Sequence, residues 1–262
     1  MIQLEHTMSI TSLRFEELLK LPFQDPQWKQ KLLIGCLILV ASIVIPILPV
    51  IILFGYIAQM VRKVVTLGIE DFHLPEGGDL SSLLNDGLKL LGATLILSLP
   101  MLVIVLGGQL FMFAVTFTPL AFASHASQAN LPIYSIFFIF GSLVGLALFM
   151  LAMLMVMLLS AVIPAGLVHV AVKNDFKAIF HIQEWWLIFR ANLGGFLVAF
   201  ILYFALSLLV GIVIQFFLFT IVFICLLPLL LLPVYLFLTL AYALIYAQAY
   251  QKGVEKLAAQ SA

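Results

Sequence analysis

Residues 32–61 read Leu-Leu-Ile-Gly-Cys-Leu-Ile-Leu-Val-Ala-Ser-Ile-Val-Ile-Pro-Ile-Leu-Pro-Val-Ile-Ile-Leu-Phe-Gly-Tyr-Ile-Ala-Gln-Met-Val. The stretch is apolar enough for the interior of a bilayer, and Pro46 and Pro49 stand three apart at its middle. Proline removes a backbone donor and clashes with the preceding turn, so a helix entering this point is expected to break. Two shapes remain open: one kinked crossing, or a re-entrant hairpin turning at Ile45-Pro46-Ile47-Leu48-Pro49.

Charge distinguishes them. With a full crossing, the amino-terminal segment and Arg62-Lys63 fall on opposite sides, against the cytoplasmic bias of Lys and Arg. With a hairpin, residues 1–31, 62–89, 173–190 and the carboxyl tail share one face, and all 12 Lys+Arg and 12 Asp+Glu go with them. The opposite face keeps the uncharged 117–132 loop, with His125 and Asn130, and a short turn. The hairpin is therefore preferred, with arms of roughly 14 residues, about 21 Å each, short of a ~30 Å hydrocarbon core.

The remaining apolar runs cover about 84–116, 133–172 and 194–249. A crossing takes ~20 helical residues, so the last run holds two, expected to turn near Gln215–Thr220. Pro100, Pro164, Pro228 and Pro233 fall inside these runs. Composition agrees: 65% of the 262 residues are hydrophobic, 9% are charged, and mean hydropathy is +1.24. A soluble domain has about 25% charged residues and could not hide this apolar surface, so lipid is the solvent. The balanced charge gives no reason to expect a nucleic-acid partner. No secretory signal is apparent in residues 1–31, so the first run is expected to remain as the first membrane element. Cys36 and Cys225 sit in apolar runs and read as small packing residues.

The expected fold is an all-α integral membrane bundle: a re-entrant helical hairpin plus four transmembrane helices, with amphipathic helices on the cytoplasmic face. Residues 1–31 form a cytoplasmic or interfacial arm, 32–252 a single membrane domain and 253–262 a cytoplasmic tail. The expected location is the prokaryotic cytoplasmic (inner) membrane, with both termini cytoplasmic.

On the charged face, Gln59, Arg62, Lys63 and Thr66 recur at helical spacing, and Gly68 is a helix stop. Lys173, Lys177, His181 and Glu184 form a stripe on a predicted helix over 174–191, with Trp185-Trp186 at headgroup depth. Arg62, Lys63, Lys173, Lys177, Arg190, Trp185 and Trp186 are the candidate contacts for anionic headgroups or a partner's acidic patch. Pro46 and Pro49 mark the hairpin tip. Gly141-xxx-Gly145 is a close-packing signature, for a neighbour in this chain or in another copy.

Other polar residues read more simply. The loop with Glu70, Asp71, His73, Glu76 and Asp79 offers oxygen ligands, but its spacing matches no EF-hand, and a solvated loop is preferred. His73, His181 and Glu184 lack ligand-pair spacing for a metal. His169 lies near a span end, one turn before Lys173, and is expected to be interfacial. Gln59, Gln109, Gln215, Ser98, Ser160 and Tyr203 could line a solute path, though packing roles are commoner. Tyr235, Tyr242, Tyr246 and Tyr250 are expected as interface anchors of the last helix.

Several short motifs are shared with one family. Phe23-Gln24-Asp25-Pro26-Gln27-Trp28-Lys29 precedes Leu32-Leu33-Ile34-Gly35; Gly55-Tyr56 precedes Arg62; Leu74-Pro75-Glu76 leads to Asp86-Gly87-Leu88-Lys89; and Tyr246-Ala247-Gln248-Ala249-Tyr250 comes last. In order and spacing these resemble an uncharacterised prokaryotic membrane family labelled domain of unknown function 4013, over about residues 22–252. The chain departs from it at Gly77, Gly78 and Leu80, where that family usually carries aromatic residues. The resemblance implies a polytopic membrane protein and supplies no activity.

No phosphate-binding loop, HExxH, G-x-S-x-G, CxxC or dinucleotide fingerprint occurs. The expectation is a non-enzymatic membrane subunit or scaffold, without cofactor or metal, binding membrane lipid and other membrane proteins or itself. The alternative is a small-solute transporter or channel using the proline-broken hairpin.

Overall fold

The structure, a computed structural model, describes residues 15–68, 74–75, 79–123, 131–219 and 227–261. Among the described residues there are eight α-helices and no strand. They are α1 (Phe15–Gln24), α2 (Trp28–Val44), α3 (Leu48–Leu67), α4 (Leu80–Ala123), α5 (Leu131–Lys173), α6 (Ile182–Ala191), α7 (Leu193–Phe219) and α8 (Leu227–Ser261), with a 3-10 turn at Phe176–Phe180 before α6. Among the described residues, five helices are long and apolar enough to cross a membrane, within α3, α4, α5, α7 and α8. The molecule is a multi-pass membrane protein.

The chain breaks at Ile45–Ile47. Ile45 is pushed to φ −123°, ψ 88°, outside the helical region, as expected of a residue before proline. Pro49 then sits in the first turn of α3, where its missing N–H costs nothing. Pro100, Pro164 and Pro233 leave their helices continuous. The arms are longer than their sequence reading. At 17 and 20 residues, α2 and α3 reach about 25 and 30 Å, and α3 meets the length of a crossing.

The chain forms two compact units. The first comprises Met1–Thr94 and Pro164–Ala262; the second is Leu95–Ile163. In the first, α8 is the central element and packs on α1, α2, α3, α6 and α7. Its buried face is rich in small residues: Ala241, Ala243, Ala247, Ala249 and Gly253 let neighbours approach where Leu would hold them off. Helices α3 and α4 approach closely. A Cβ at Gly55 would fall on the Leu83 carbonyl oxygen, and one at Gly87 on the Ile51 carbonyl oxygen. This reciprocal contact brings the glycine Cα–H groups onto backbone oxygens, a weak but recurring helix–helix bond.

Two expectations change. Residues 174–191 are not one helix: Asn174 takes φ 52°, and Asp175 accepts a hydrogen bond from Lys177 N, which starts the 3-10 turn. Within residues 15–31, α1 packs through buried Leu21 and Pro22 and α2 begins at Trp28. Gln215–Phe219 still belong to α7 and form no turn, and α8 carries the tail to Ser261 as helix. Glu70, Asp71, His73 and Glu76, together with His125 and Asn130, lie outside the described residues.

In the second unit, Gly141 and Gly145 of α5 face α4. A Cβ at Gly141 would stand 2.9 Å from Val115 Cγ1, and one at Gly145 2.6 Å from Met112 Sδ. The close-packing pair therefore meets a helix of its own chain.

Candidate functional site

The candidate site lies at the amino-terminal end of α2. Asp25 closes the turn between α1 and α2: its Oδ1 accepts from Gln27 N at 2.8 Å and its backbone oxygen from Trp28 N at 3.0 Å. Lys31, one turn into α2, folds back so that Nζ reaches Asp25 Oδ2 at 2.7 Å and donates to the Leu74 carbonyl oxygen at 3.0 Å. That carbonyl belongs to the Leu74-Pro75 segment between α3 and α4, so one ammonium ties three parts of the chain together. An ammonium carries three donors, and these contacts occupy two.

Behind this pair lies a cavity of about 240 Å³. Its walls come from α1 (Phe23), α2 (Trp28, Gly35, Ile38), α3 (Ile52, Tyr56), Leu74-Pro75 and α8 (Leu236, Leu240), with Lys31 at its edge. Phe23 meets Trp28 edge-on at 5.1 Å and Phe237 at 5.9 Å, which fixes α1 over the opening. A second apolar hollow, of about 490 Å³, runs along the other side of α2. It is lined by Leu33, Cys36, Leu37 and Val40 of α2 and by Leu232 and Pro233 of α8. Trp28 and Leu32 border both hollows, and Lys29 borders the second with its Nζ 5.7 Å from the Trp28 ring centre. Apolar walls of this kind hold hydrocarbon rather than water, which needs two to four polar partners.

A separate polar layer stitches the helix ends. Arg62 of α3 donates through Nε to the Ala171 carbonyl oxygen at 3.1 Å, one of the open carbonyls at the end of α5. Its Nη2 stands 3.4 Å from Asp86 of α4, which is only 4% exposed. Lys89 donates to Asn174 Oδ1 at 3.2 Å. His169 is 1% exposed; Nδ1 pairs with the Tyr250 hydroxyl at 2.7 Å, and Nε2 is 3.4 Å from Glu184 Oε2 without hydrogen-bond geometry. Asn192 Nδ2 donates to the Ala249 carbonyl oxygen at 2.8 Å, and Lys256 Nζ donates to Asn192 Oδ1 at 2.7 Å.

The proposed surface residues therefore separate. Arg62 is half-buried and clamps α4 and the end of α5, and Lys63 beside it is also half-buried. Trp185 is also internal, 6% exposed, its Nε1 donating to the Ile179 carbonyl oxygen at 3.2 Å. Trp186 is 40% exposed and stacks on Phe189 at 5.3 Å. With Lys173, Lys177 and Arg190 it forms a surface from the end of α5 through α6 that also exposes Phe180, Ile182 and Leu187. Pro46 is exposed at the hairpin tip among exposed aliphatic residues, whereas Pro49 is buried. His169, Tyr246 and Tyr250 are buried among the helices, while Tyr235 is exposed.

The residues named as a solute path are satisfied locally or exposed. Ser98 and Ser160 donate to carbonyls of their own helices, Gln59 donates to Ser82 Oγ, Tyr203 packs on Tyr242, and Gln109 and Gln215 are exposed. The sequence reading named Asp25, Trp28, Lys29, Gly35, Tyr56 and Leu74-Pro75 only as shared motifs, and did not group them. The signal was their recurrence as short motifs between apolar runs, which a packing argument alone does not bring together. Among the described residues no group of His, Cys, Asp or Glu is placed to hold a metal.

Residues 38–219 match the family model described as Protein of unknown function (DUF4013). The Phe23–Lys29 and Tyr246–Tyr250 motifs lie outside that stretch. No curated protein and no solved structure matches the chain.

Proposed function

Starting from a chain that belongs to the DUF4013 family of unknown function, we propose that it is a non-enzymatic subunit or scaffold of the prokaryotic cytoplasmic membrane. It binds lipid or other membrane proteins through its first unit. One observation carries this reading. Among the described residues, the charged or titratable groups Asp25, Asp86 and His169, drawn inside the unit, each join elements: Asp25 with Lys31, Asp86 with Arg62, His169 with Tyr250.

The charged residues occupy one layer, on the cytoplasmic side with both termini, and the Trp186, Lys177 and Arg190 surface meets headgroups or a partner there. The hairpin α2–α3 enters and returns on that side. The charge argument holds whether its arms stop short or reach across, because both ends come back to the same face. The solute-transporter alternative draws on the proline break. The tip, however, presents Val44, Ile45, Ile47 and Leu48, all exposed and aliphatic, which suit lipid better than a solute.

The test is to purify the full chain in a lipid-retaining detergent and weigh the particle by native mass spectrometry. Protein partners in fixed ratio, or retained lipid, are expected. A bare chain that passes small solutes across reconstituted vesicles would overturn the reading.

A further inference from the structure

We propose that the first turns of α2 form a binding site for one diacyl glycerophospholipid, which straddles the helix with one chain on each side. This rests on the lipid-binding form of the reading above and supplies its site. Two apolar hollows, of about 240 and 490 Å³, flank α2 and share Trp28 and Leu32 as their common border. An apolar cavity of ~150 Å³ already accepts benzene, so each hollow takes a longer hydrocarbon segment.

Two separated hollows divided by one helix fit a forked ligand, and the cations give its other end. Lys31 edges the first hollow and Lys29 the second. Lys31 keeps one donor beyond Asp25 and Leu74, and Lys29 is exposed. Between them lies the first turn of α2, whose N-cap residue Gln27 makes no side-chain capping bond. A phosphate there meets the remaining Lys31 donor, the exposed Lys29 ammonium and the positive end of the helix, beside the Asp25 carboxylate that already holds Lys31, and a tryptophan such as Trp28 suits the headgroup boundary. Free fatty acid offers one chain and a carboxylate. A lysophospholipid offers the phosphate and one chain. Neither fills both hollows.

The experiment is native mass spectrometry of the delipidated full chain, titrated separately with dioleoylphosphatidylglycerol, its lyso form and oleate. One diacyl lipid per chain is expected to bind first, ahead of the other two. Lys29→Gln, at an exposed position, is expected to weaken it about tenfold, the worth of one charge-assisted bond. Leu37→Trp in the open hollow and Ile38→Trp in the cavity are each expected to remove the advantage of the diacyl form over the lyso form. Binding of many lipids without a distinct first one would overturn the site. So would equal binding of oleate, diacyl affinity untouched in Lys29→Gln, or a diacyl preference over the lyso form untouched in Leu37→Trp. A protein partner in fixed ratio without bound lipid would overturn this inference and leave the scaffold reading standing; solute flux by a bare chain would remove both.

Discussion

The two units solve opposite packing problems with much the same apolar alphabet. In the second, Leu95–Ile163, there is no Asp, Glu, Lys or Arg, and large side chains such as Leu102, Phe113, Phe140 and Leu151 point outward. In the first, half of the most apolar window of α8 is buried; in that of α5 none is. In water, exposed leucine would signal a failed core. In hydrocarbon there is no penalty for it, and burial must instead be driven by close packing and by polar groups that need partners. The core of this protein is therefore found by looking for small and polar residues. Gly55, Gly87, Ala243, Ala247, Asp86, His169 and Asn192 mark it, and the long aliphatic runs do not.

The largest expected effect contrasts two adjacent tryptophans. Trp185→Ala removes a buried indole and leaves the Ile179 carbonyl without its donor, and is expected to cost about 4 kcal/mol. Trp186→Ala is expected to cost less than about 1 kcal/mol while weakening adhesion to anionic vesicles. Thermal unfolding in detergent and a vesicle flotation assay separate the two. Equal losses of stability would place both rings in the core.

Next, Arg62→Ala strands the buried Asp86 carboxylate and opens the end of α5, for an expected loss of about 3 kcal/mol. Arg62→Ala with Asp86→Ala is expected to recover part of it, because no unpaired charge remains. A double mutant less stable than Arg62→Ala by the full Asp86→Ala loss would show that the pair does not couple.

Glycine sharpens the contrast between units. Gly55→Ala places a methyl on a backbone oxygen and is expected to cost roughly 2 kcal/mol or more. Gly108→Ala in the second unit meets nothing within 4 Å and is expected to stabilise its helix by up to about 1 kcal/mol. Opposite shifts in unfolding temperature are the expected result; shifts of the same sign would mean that the glycines play one role in both units. The smallest effect is Tyr250→Phe, which removes the hydroxyl on His169 and is expected to cost about 1 kcal/mol.

Much of this architecture was legible in the sequence. Length and hydropathy set the spans, and two prolines in one turn placed the break at Ile45–Ile47, because each removes a donor the other's turn would need. Local misreadings had local causes. The spacing of Lys173, Lys177, His181 and Glu184 mimics a helix, while Asn174-Asp175 carries a left-handed stop followed by a cap, a signal that outweighs periodicity. The Tyr242, Tyr246, Tyr250 row was read as an interface belt, although the alanines between them point to close packing. The partners of Arg62 and Lys31 could not be read at all: Ala171 is 109 residues from the first and Leu74 43 from the second. Such pairings exist only once the helices have packed.

The central claim is that one face of the membrane holds every charged residue, which requires α2 and α3 to return to the side they left. Cysteine accessibility in intact cells tests it most directly. Cys36 and Cys225 are first replaced, and single cysteines are placed at Lys20, Lys89, Lys177, Glu255 and His125. The account predicts that the first four are protected from an impermeant reagent added outside and that His125→Cys alone is labelled. Labelling at Lys20→Cys together with protection at Lys89→Cys would mean that the chain crosses only once between them, and would contradict it.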